Sequence, residues 1–316
     1  MLEQKIKNIK LICPRTKTPL LLDGNFLVSE AGGYRYPVVN GIPVLLNDDE
    51  SLFKTENYRS ELDSGEVQSA NRLKKFLSTI LPSITLNTAA KRNFEKAVAL
   101  LPKNAKILIV GCGVRGKGLE SIYKLQSNSG DSYLIIEVDV VMTPSTKIVC
   151  DCHDLPFNDK SFDFVVVQAV LEHVLEPIRC VSEIWRVLGD NGLVYGESPF
   201  MQQVHMREFD FTRFSFLGHR YLFKNFSEVS AGICCGPGSA LAWAIVYLFQ
   251  SFAWSGRSKT FFYILGLFFA WPLKYLDFLL NNRTGSYDAA SAWYFLGKKS
   301  NVEVSKSHLL KGYRGF

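Results

Sequence analysis

From residue 106 onward, near-continuous apolar segments alternate with stretches of helical spacing. KILIVGCG from Lys106 reads as a buried strand ending in a glycine turn, YLIIEVD from Tyr133 as a second, FDFVVVQAV from Phe162 as a third and GLVYGES from Gly192 as a fourth. Between the last two, CVSEIWRVL from Cys180 spaces its apolar residues three and four apart, as one face of a helix does. Strands that are apolar on both faces and separated by helices predict a parallel sheet covered on both sides, an α/β, doubly wound, Rossmann-like architecture. Its ligand crevice belongs at the carboxyl ends of the strands. Phe226 to Cys235 and Ala292 to Gly297 read as two further strands.

The flanks differ. Residues 11 to 47 carry turn formers at Pro14, Asp23-Gly24, Gly32-Gly33 and Asn40-Gly41 between short apolar runs, which predicts a β module of three or four strands. Residues 48 to 104 are polar, with Leu73, Phe76, Leu77 and Ile80, then Phe94, Val98 and Leu101, at helical spacing, and read as connecting helices. The domain scheme is therefore 1–47 module, 48–104 connection, 105–300 main domain and 301–316 basic tail, with 236–290 an apolar insertion between the two last strands. Gly238 to Trp254 and Phe261 to Leu273 are free of charge over 17 and 13 residues, with Arg257 and Lys259 between them. A spanning helix needs about 20 apolar residues. Two helices joined near Arg257 and Lys259 and lying on a membrane surface are expected; a hairpin span, or burial against the domain or a second subunit, are the alternatives. Lys274, Arg283, Lys298 and Lys299 would meet anionic headgroups.

Charge and cysteine usage narrow the setting. The formal charge of +6 is uneven: the first 106 residues and the last 83 are basic, and the middle is acidic. That suits an anionic membrane surface or a nucleic acid, or a solvated exterior with no polyanion partner. Seven cysteines with no CxxC pair, set in apolar runs, read as reduced thiols, and MLEQKIKNIK lacks the features of a secretory signal. A cytoplasmic protein, peripheral on the inner face of the membrane, is expected.

The chemistry gathers at the strand ends. Gly111-Cys112-Gly113-Val114-Arg115-Gly116 follows a strand and precedes a helical stretch, so its backbone amides can approach a ligand. Asp139 closes the next strand, with Glu137 on the same face, placed to accept from ribose hydroxyls. Then come Asp151-Cys152-His153-Asp154-Leu155-Pro156-Phe157, Ser161-Phe162-Asp163, Leu171-Glu172-His173-Val174 and Arg186-Val187-Leu188 with a turn ending at Gly192.

That ordered series resembles class I S-adenosylmethionine-dependent methyltransferases of the GCG, DxxDLPF, LEHV branch, over about residues 90 to 300. The resemblance implies a seven-stranded sheet whose last two strands are antiparallel, with S-adenosyl-L-methionine as cofactor. Gly111, Cys112 and Gly113 would face its methionine part, Asp139 the ribose, Asp151 and Cys152 the adenine, and Gln168 and Ala169 the sulfonium side, with Gly116 and Glu137 also among the cofactor-binding residues. Two departures stand out: Ile109 replaces the usual acidic residue two before the first glycine, and the loop is one residue longer than G-x-G-x-G. The N-terminal module resembles a zinc-ribbon-like domain through Cys13-Pro14, Tyr36-Pro37 and Gly41-Ile42-Pro43-Val44-Leu45. Thr16 stands at the second knuckle position and no cysteine follows before Cys112, so no metal is expected.

Methyl transfer to oxygen needs a base. His205, Asp210 and Arg213 fall in the loop that roofs the acceptor site in this architecture, as a base, its orienter and an anion clamp. His173 is a second candidate, although its L-E-H-V context reads first as the start of a helix. His153 reads as packing near adenine. The expected enzyme methylates a small hydrophobic or lipid-linked acceptor, at a sugar or ring hydroxyl. A tRNA or protein methyltransferase and a non-catalytic scaffold subunit are the alternatives; no Asn-Pro-Pro-Tyr-like motif follows the third strand, which argues against nucleic acid. The oligomeric state is not legible.

Overall fold

The computed structural model describes residues 9–58, 83–113, 116–128 and 133–316. Leu73, Phe76, Leu77 and Ile80 of the connecting stretch, and Val114 and Arg115 of the glycine loop, lie outside the described residues.

Continuous apolar strands pair as expected. β5 (Lys106–Val110), β6 (Leu134–Asp139) and β8 (Phe162–Gln168) are parallel neighbours centred on β5, with Leu108 opposite Ile136 on one side and Val165 on the other. β9 (Leu188–Pro199) runs parallel to β8, and β11 (Ala292–Lys299) lies antiparallel between β9 and β10 (Phe226–Cys235). The sheet gains one strand that periodicity did not mark: β7 (Ile148–Cys150), only three residues long, pairs with the end of β6. The resulting order β7-β6-β5-β8-β9-β11-β10 is the seven-stranded doubly wound sheet. The chain reverses direction of growth between β5 and β8, so the crevice opens beside Gly111 and Gln168.

The N-terminal hairpins β1 (Leu20–Asp23), β2 (Phe26–Ser29), β3 (Arg35–Val39) and β4 (Ile42–Leu45) do not form a separate sheet. β4 pairs in parallel with β7, Val44 opposite Val149 and Leu45 opposite Cys150, and extends the order to eleven strands. The edge that β7 would otherwise leave open is thereby closed. Cys13 is buried, its Sγ 3.1 Å from the Tyr36 hydroxyl and 3.4 Å from the Thr16 amide. Burial opposes the Cys13 thiolate, but these hydrogen bonds outweigh it and lower the pKa.

Helices cover both faces. α1 (Ala90–Leu100) buries Phe94 and Ala97 on one; α2 (Glu120–Asn128) follows the glycine loop; α3 (Pro177–Val187) opens on a proline and buries Cys180, Val181, Ile184 and Val187, the stripe visible in the sequence. Pro177, not the L-E-H-V segment, starts α3, so Glu172 and His173 stand in the preceding turn, which corrects the helix-start reading of His173. α4 (Phe216–Leu222) leads into β10.

The insertion forms α5 (Pro237–Gln250) and α6 (Gly256–Ala270), an antiparallel pair turning at Ser251 to Ser255, where Ser255 caps α6. Gly266 lets the helices touch: a Cβ there would lie 3.0 Å from Val246 Cα. Farther on, Asp277 ties the insertion down. Its buried carboxylate accepts from the Gly236 amide at 3.0 Å, the Gly238 amide at 2.8 Å and the Ser239 hydroxyl at 2.6 Å, satisfying amides at the start of α5. Lys274 is buried and donates to the Ser83 carbonyl at 2.5 Å; Lys299 is buried and donates to the Leu188 carbonyl at 2.6 Å. Neither ammonium is free for a headgroup, against the sequence expectation. The tail is docked by Arg314, which donates to the Ala231 carbonyl at 2.7 Å and to Glu228 at 3.0 Å.

Candidate active site

At the carboxyl ends of the central strands lies an open cavity of about 1140 Å³. Its cofactor-side wall is backbone. Gly111 has φ +78°, and a Cβ there would stand 2.2 Å from Val170 Cγ2, so only glycine lets the strand turn this sharply beneath the loop. Asp139 leaves β6 into the cavity and accepts from the Gly113 amide at 2.7 Å and the Val141 amide at 2.8 Å. Gly116 approaches the end of β8 so closely that a Cβ would overlap Gln168 Oε1. Gln168 Oε1 is buried without a hydrogen-bond partner, while its amide donates to Glu197 at 2.8 Å.

Of the expected cofactor residues, Gly111, Gly113, Gly116, Asp139, Asp151, Cys152, Gln168 and Ala169 line the cavity. Cys112 and Glu137 are not among the described residues that line it. Cys112 points beneath the loop, 3.6 Å from Thr146 Oγ1, and burial pushes its thiol up to about 11. Glu137 is buried and accepts from the Tyr123 hydroxyl at 2.6 Å, so it braces α2 where a ribose contact was expected. Asp151 is committed within the protein: it accepts from Ser51 Oγ at 2.6 Å and pairs with His153 Nδ1 at 2.6 Å. Burial works against its charged form, but these partners hold its carboxyl below the ordinary range. His153 Nε2 accepts the Glu176 amide at 3.2 Å, so Nδ1 carries the proton that Asp151 accepts. Ser51 and its neighbours Glu50, Leu52 and Phe53, just past the module, form part of the cavity wall.

The opposite wall is made by side chains. The loop after β9 folds back so that the Phe211 and Thr212 amides donate to the Glu172 carbonyl at 2.9 and 3.2 Å. That brings His205 against His173, ring centroids 4.7 Å apart. Glu172 Oε1 stands 3.8 Å from His173 Nε2 and 3.6 Å from His205 Nε2. Glu172 is fully buried, and neither carboxylate oxygen has a hydrogen-bond partner. Asp210 lies beside His205: Oδ2 accepts the His205 backbone amide at 2.7 Å and stands 3.4 Å from Nδ1, which is also 3.5 Å from the Gln202 side-chain nitrogen. Burial opposes the Asp210 charge, yet Arg213 and the His205 amide hold its carboxyl down to about 2. Arg213 is not an anion clamp. Its guanidinium pairs with Asp210 and donates to the Gln202, Gln203 and Thr212 carbonyls, so it staples the loop.

Two residues given no role by the sequence reading emerge here. Glu172 was part of a recognised motif; the signal for it was a carboxylate between leucine and histidine in an apolar run. Glu197, near the end of β9, reaches the cavity and accepts from Tyr195, with both carboxylate oxygens from Asn87 at 2.9 and 3.0 Å, and from Gln168. Burial raises its pKa against these hydrogen bonds. A carboxylate following the apolar Leu193-Val194-Tyr195 run was its signal.

The cofactor-side wall fits a nucleoside joined to an amino acid. It offers a glycine cradle that a Cβ would fill, a strand-end carboxylate for hydroxyls, and an orphaned buried carbonyl at Gln168 next to the Glu197 carboxylate for cationic groups. Residues 108–196 match the family described as methyltransferase domain. A UPF0434 protein of Marinomonas sp. (strain MWYL1) is 47% identical over 60 residues, 18% of this chain and 88% of that protein. An uncharacterised protein of Methanocaldococcus jannaschii is 32% identical over 115 residues, 34% of this chain and 49% of that protein. Among solved structures, the 1,6-didemethyltoxoflavin N1-methyltransferase of Burkholderia thailandensis is 12% identical with a TM-score of 0.43, covering 90% of this chain and 100% of that one. The Haloferax volcanii complex of the Trm112 methyltransferase activator with a methyltransferase is 15% identical with a TM-score of 0.41, covering 73% and 96%.

Proposed function

We propose that this chain, which belongs to the UPF0434 family through its N-terminal segment and is an S-adenosylmethionine-dependent methyltransferase, methylates a hydroxyl of a small hydrophobic or lipid-linked acceptor at a membrane surface. Gly111, Gly113, Asp139 and Gln168 would hold the cofactor. When bound, S-adenosylmethionine supplies a methyl group on a positively charged sulfur, an electrophile that needs alignment more than activation. The chain's own task is the acceptor: to place its oxygen, exclude water and remove its proton. Glu172, His173 and His205 stand together on the facing wall where that proton would leave. Leu52, Phe53, Leu175, Met206 and Phe209 give the same cavity apolar lining.

The observation that carries the lipid reading is the junction of roof and insertion. The Tyr247 hydroxyl of α5 donates to the Val204 carbonyl in the roof loop, and Trp243 donates to Thr85 at 3.0 Å and lies against His205. The apolar surface therefore begins where the active-site roof ends. Trp254 is 81% and Phe268 70% exposed, with Phe252, Phe261 and Phe269 around them. Such a patch marks an interaction surface. By length and composition, Gly256–Leu280 is the one helical stretch among the described residues able to cross a membrane. Its last turns, however, are held to the protein by Lys274 and Asp277. The free part, α6 alone, is about 22 Å long, short of the roughly 30 Å hydrocarbon core. A pair lying on the surface follows, with Arg257 and Lys259 at its tip for anionic headgroups. Seven free, buried thiols suit a reducing compartment, hence the cytoplasmic face.

Vesicle sedimentation tests this reading. Binding should rise with anionic lipid, weaken in high salt and drop in a Phe252→Ser, Trp254→Ser, Phe268→Ser variant that still binds S-adenosylmethionine. In parallel, labelled methyl should enter the organic-soluble fraction of a lipid extract. A protein that ignores vesicles of every composition and labels only water-soluble acceptors overturns it.

A further inference from the structure

We infer that Glu172, His173 and His205 are the protein ligands of a divalent transition-metal ion, with its remaining positions open to the cavity. Their ligand atoms lie within 4.8 Å of one another, and all three residues line the cavity. Three further observations converge on a cation. A fully buried carboxylate with no hydrogen bond to either oxygen is costly unless something positive sits beside it. Both imidazoles turn Nε2 toward that carboxylate. His173 also commits Nδ1 to an acceptor behind the ring, donating to the Phe209 carbonyl at 2.7 Å, while His205 Nδ1 lies between Asp210 Oδ2 at 3.4 Å and the Gln202 side-chain nitrogen at 3.5 Å. His173 is held as metal-bound histidines are, by an outer acceptor that fixes the tautomer and leaves the other nitrogen for the ion.

Two imidazoles and one carboxylate form the donor set of open, catalytic zinc and related first-row sites, not of closed structural ones. The separations of 3.6 and 3.8 Å from Glu172 Oε1 to the two Nε2 atoms are somewhat wider than the ideal tetrahedral angle gives for bonds of about 2.0–2.2 Å. A small inward shift of the roof loop would close them. The inference deepens the proposed reaction and rests on it only for what enters the open positions: an ion held by Glu172, His173 and His205 would lower the pKa of an acceptor hydroxyl bound there, as it does for bound water.

The test uses the full chain stripped with a chelator and titrated with Co²⁺, then Zn²⁺. Stoichiometric Co²⁺ should produce visible absorption bands that Zn²⁺ abolishes, and either ion should raise the melting temperature. Glu172→Gln and His205→Ala should lose the bands while still binding S-adenosylmethionine, which shows that they fold. Asp210→Asn, one shell out, should weaken the ion about 10–100-fold. Equal binding by wild type and both ligand variants, or none by wild type, overturns the inference. Undiminished methyl transfer to the lipid extract by chelator-stripped protein would also count against the ion while leaving the proposed reaction standing. Metal binding without any such transfer would support the site and remove the acceptor reading.

Discussion

Gly111, Gly113 and Asp139 reach the cavity because parallel strands end there; Glu172, His173 and His205 reach it because a loop folds back over a turn. On the first wall the backbone sets the geometry, and the side chains serve mainly to let it approach or to accept hydrogen bonds. On the second, the convergence is tertiary, fixed by the Phe211 and Thr212 amides on the Glu172 carbonyl and by the Arg213 staple. The first wall is a holder for a ligand common to many reactions. The second carries whatever is particular to this one. If that division is right, damage to the two walls should separate cleanly.

The largest separation is expected at His205. His205→Ala removes a group from the wall proposed to take the acceptor's proton and should lower turnover of S-adenosylmethionine with the lipid extract by about 10²–10⁴-fold, the range for acid–base groups. Cofactor affinity by calorimetry should not change. A parallel loss of affinity would mean the walls are one unit. The mirror case is smaller. Asp139→Ala removes a carboxylate acceptor and should weaken S-adenosylmethionine by about 1.5–3 kcal/mol, the span for hydrogen bonds to charged groups. Saturating cofactor should restore most of the turnover; undiminished binding would remove Asp139 from the site.

The same contrast explains what the sequence disclosed. Strand ends carry a local signature, an apolar run followed by glycine or an acid, so β5, β6, β8 and the cavity positions of Gly111, Asp139 and Gln168 were legible from spacing and family pattern. β7 was missed because three residues hold no period. The pairing of β4 with β7 was missed because a parallel contact between distant segments leaves no trace in either. Glu137 shows the limit of the local argument: it shares a strand face with Asp139, but Tyr123 on α2 claims its carboxylate. On the roof, residue types were readable and roles were not. His205 and Asp210 do face each other, whereas Arg213, read as an anion clamp, spends its donors on the loop's own carbonyls.

The smallest expected effect is in pH, and it concerns the support behind the roof. His219 on α4 is buried beside Phe214, the end of the roof loop, and Phe223, and its Nε2 has no hydrogen-bond partner. Burial first, then the neighbouring Arg220 charge, lowers its pKa to about 3. The unfolded chain takes up a proton near the ordinary 6.5 while the folded protein does not. Between those values the unfolded state binds more protons, so stability is complete above 6.5 and falls as pH drops toward 3. The slope from this one group is at most about 1.4 kcal/mol per pH unit. Melting temperature measured from pH 7 to 4 should therefore decline less steeply in His219→Leu than in wild type. Asp139 stands on the opposite wall and is no neighbour of His219, so Asp139→Ala should leave that slope where it is. Identical acid slopes in wild type and His219→Leu would show that the roof's support is not what acid loosens.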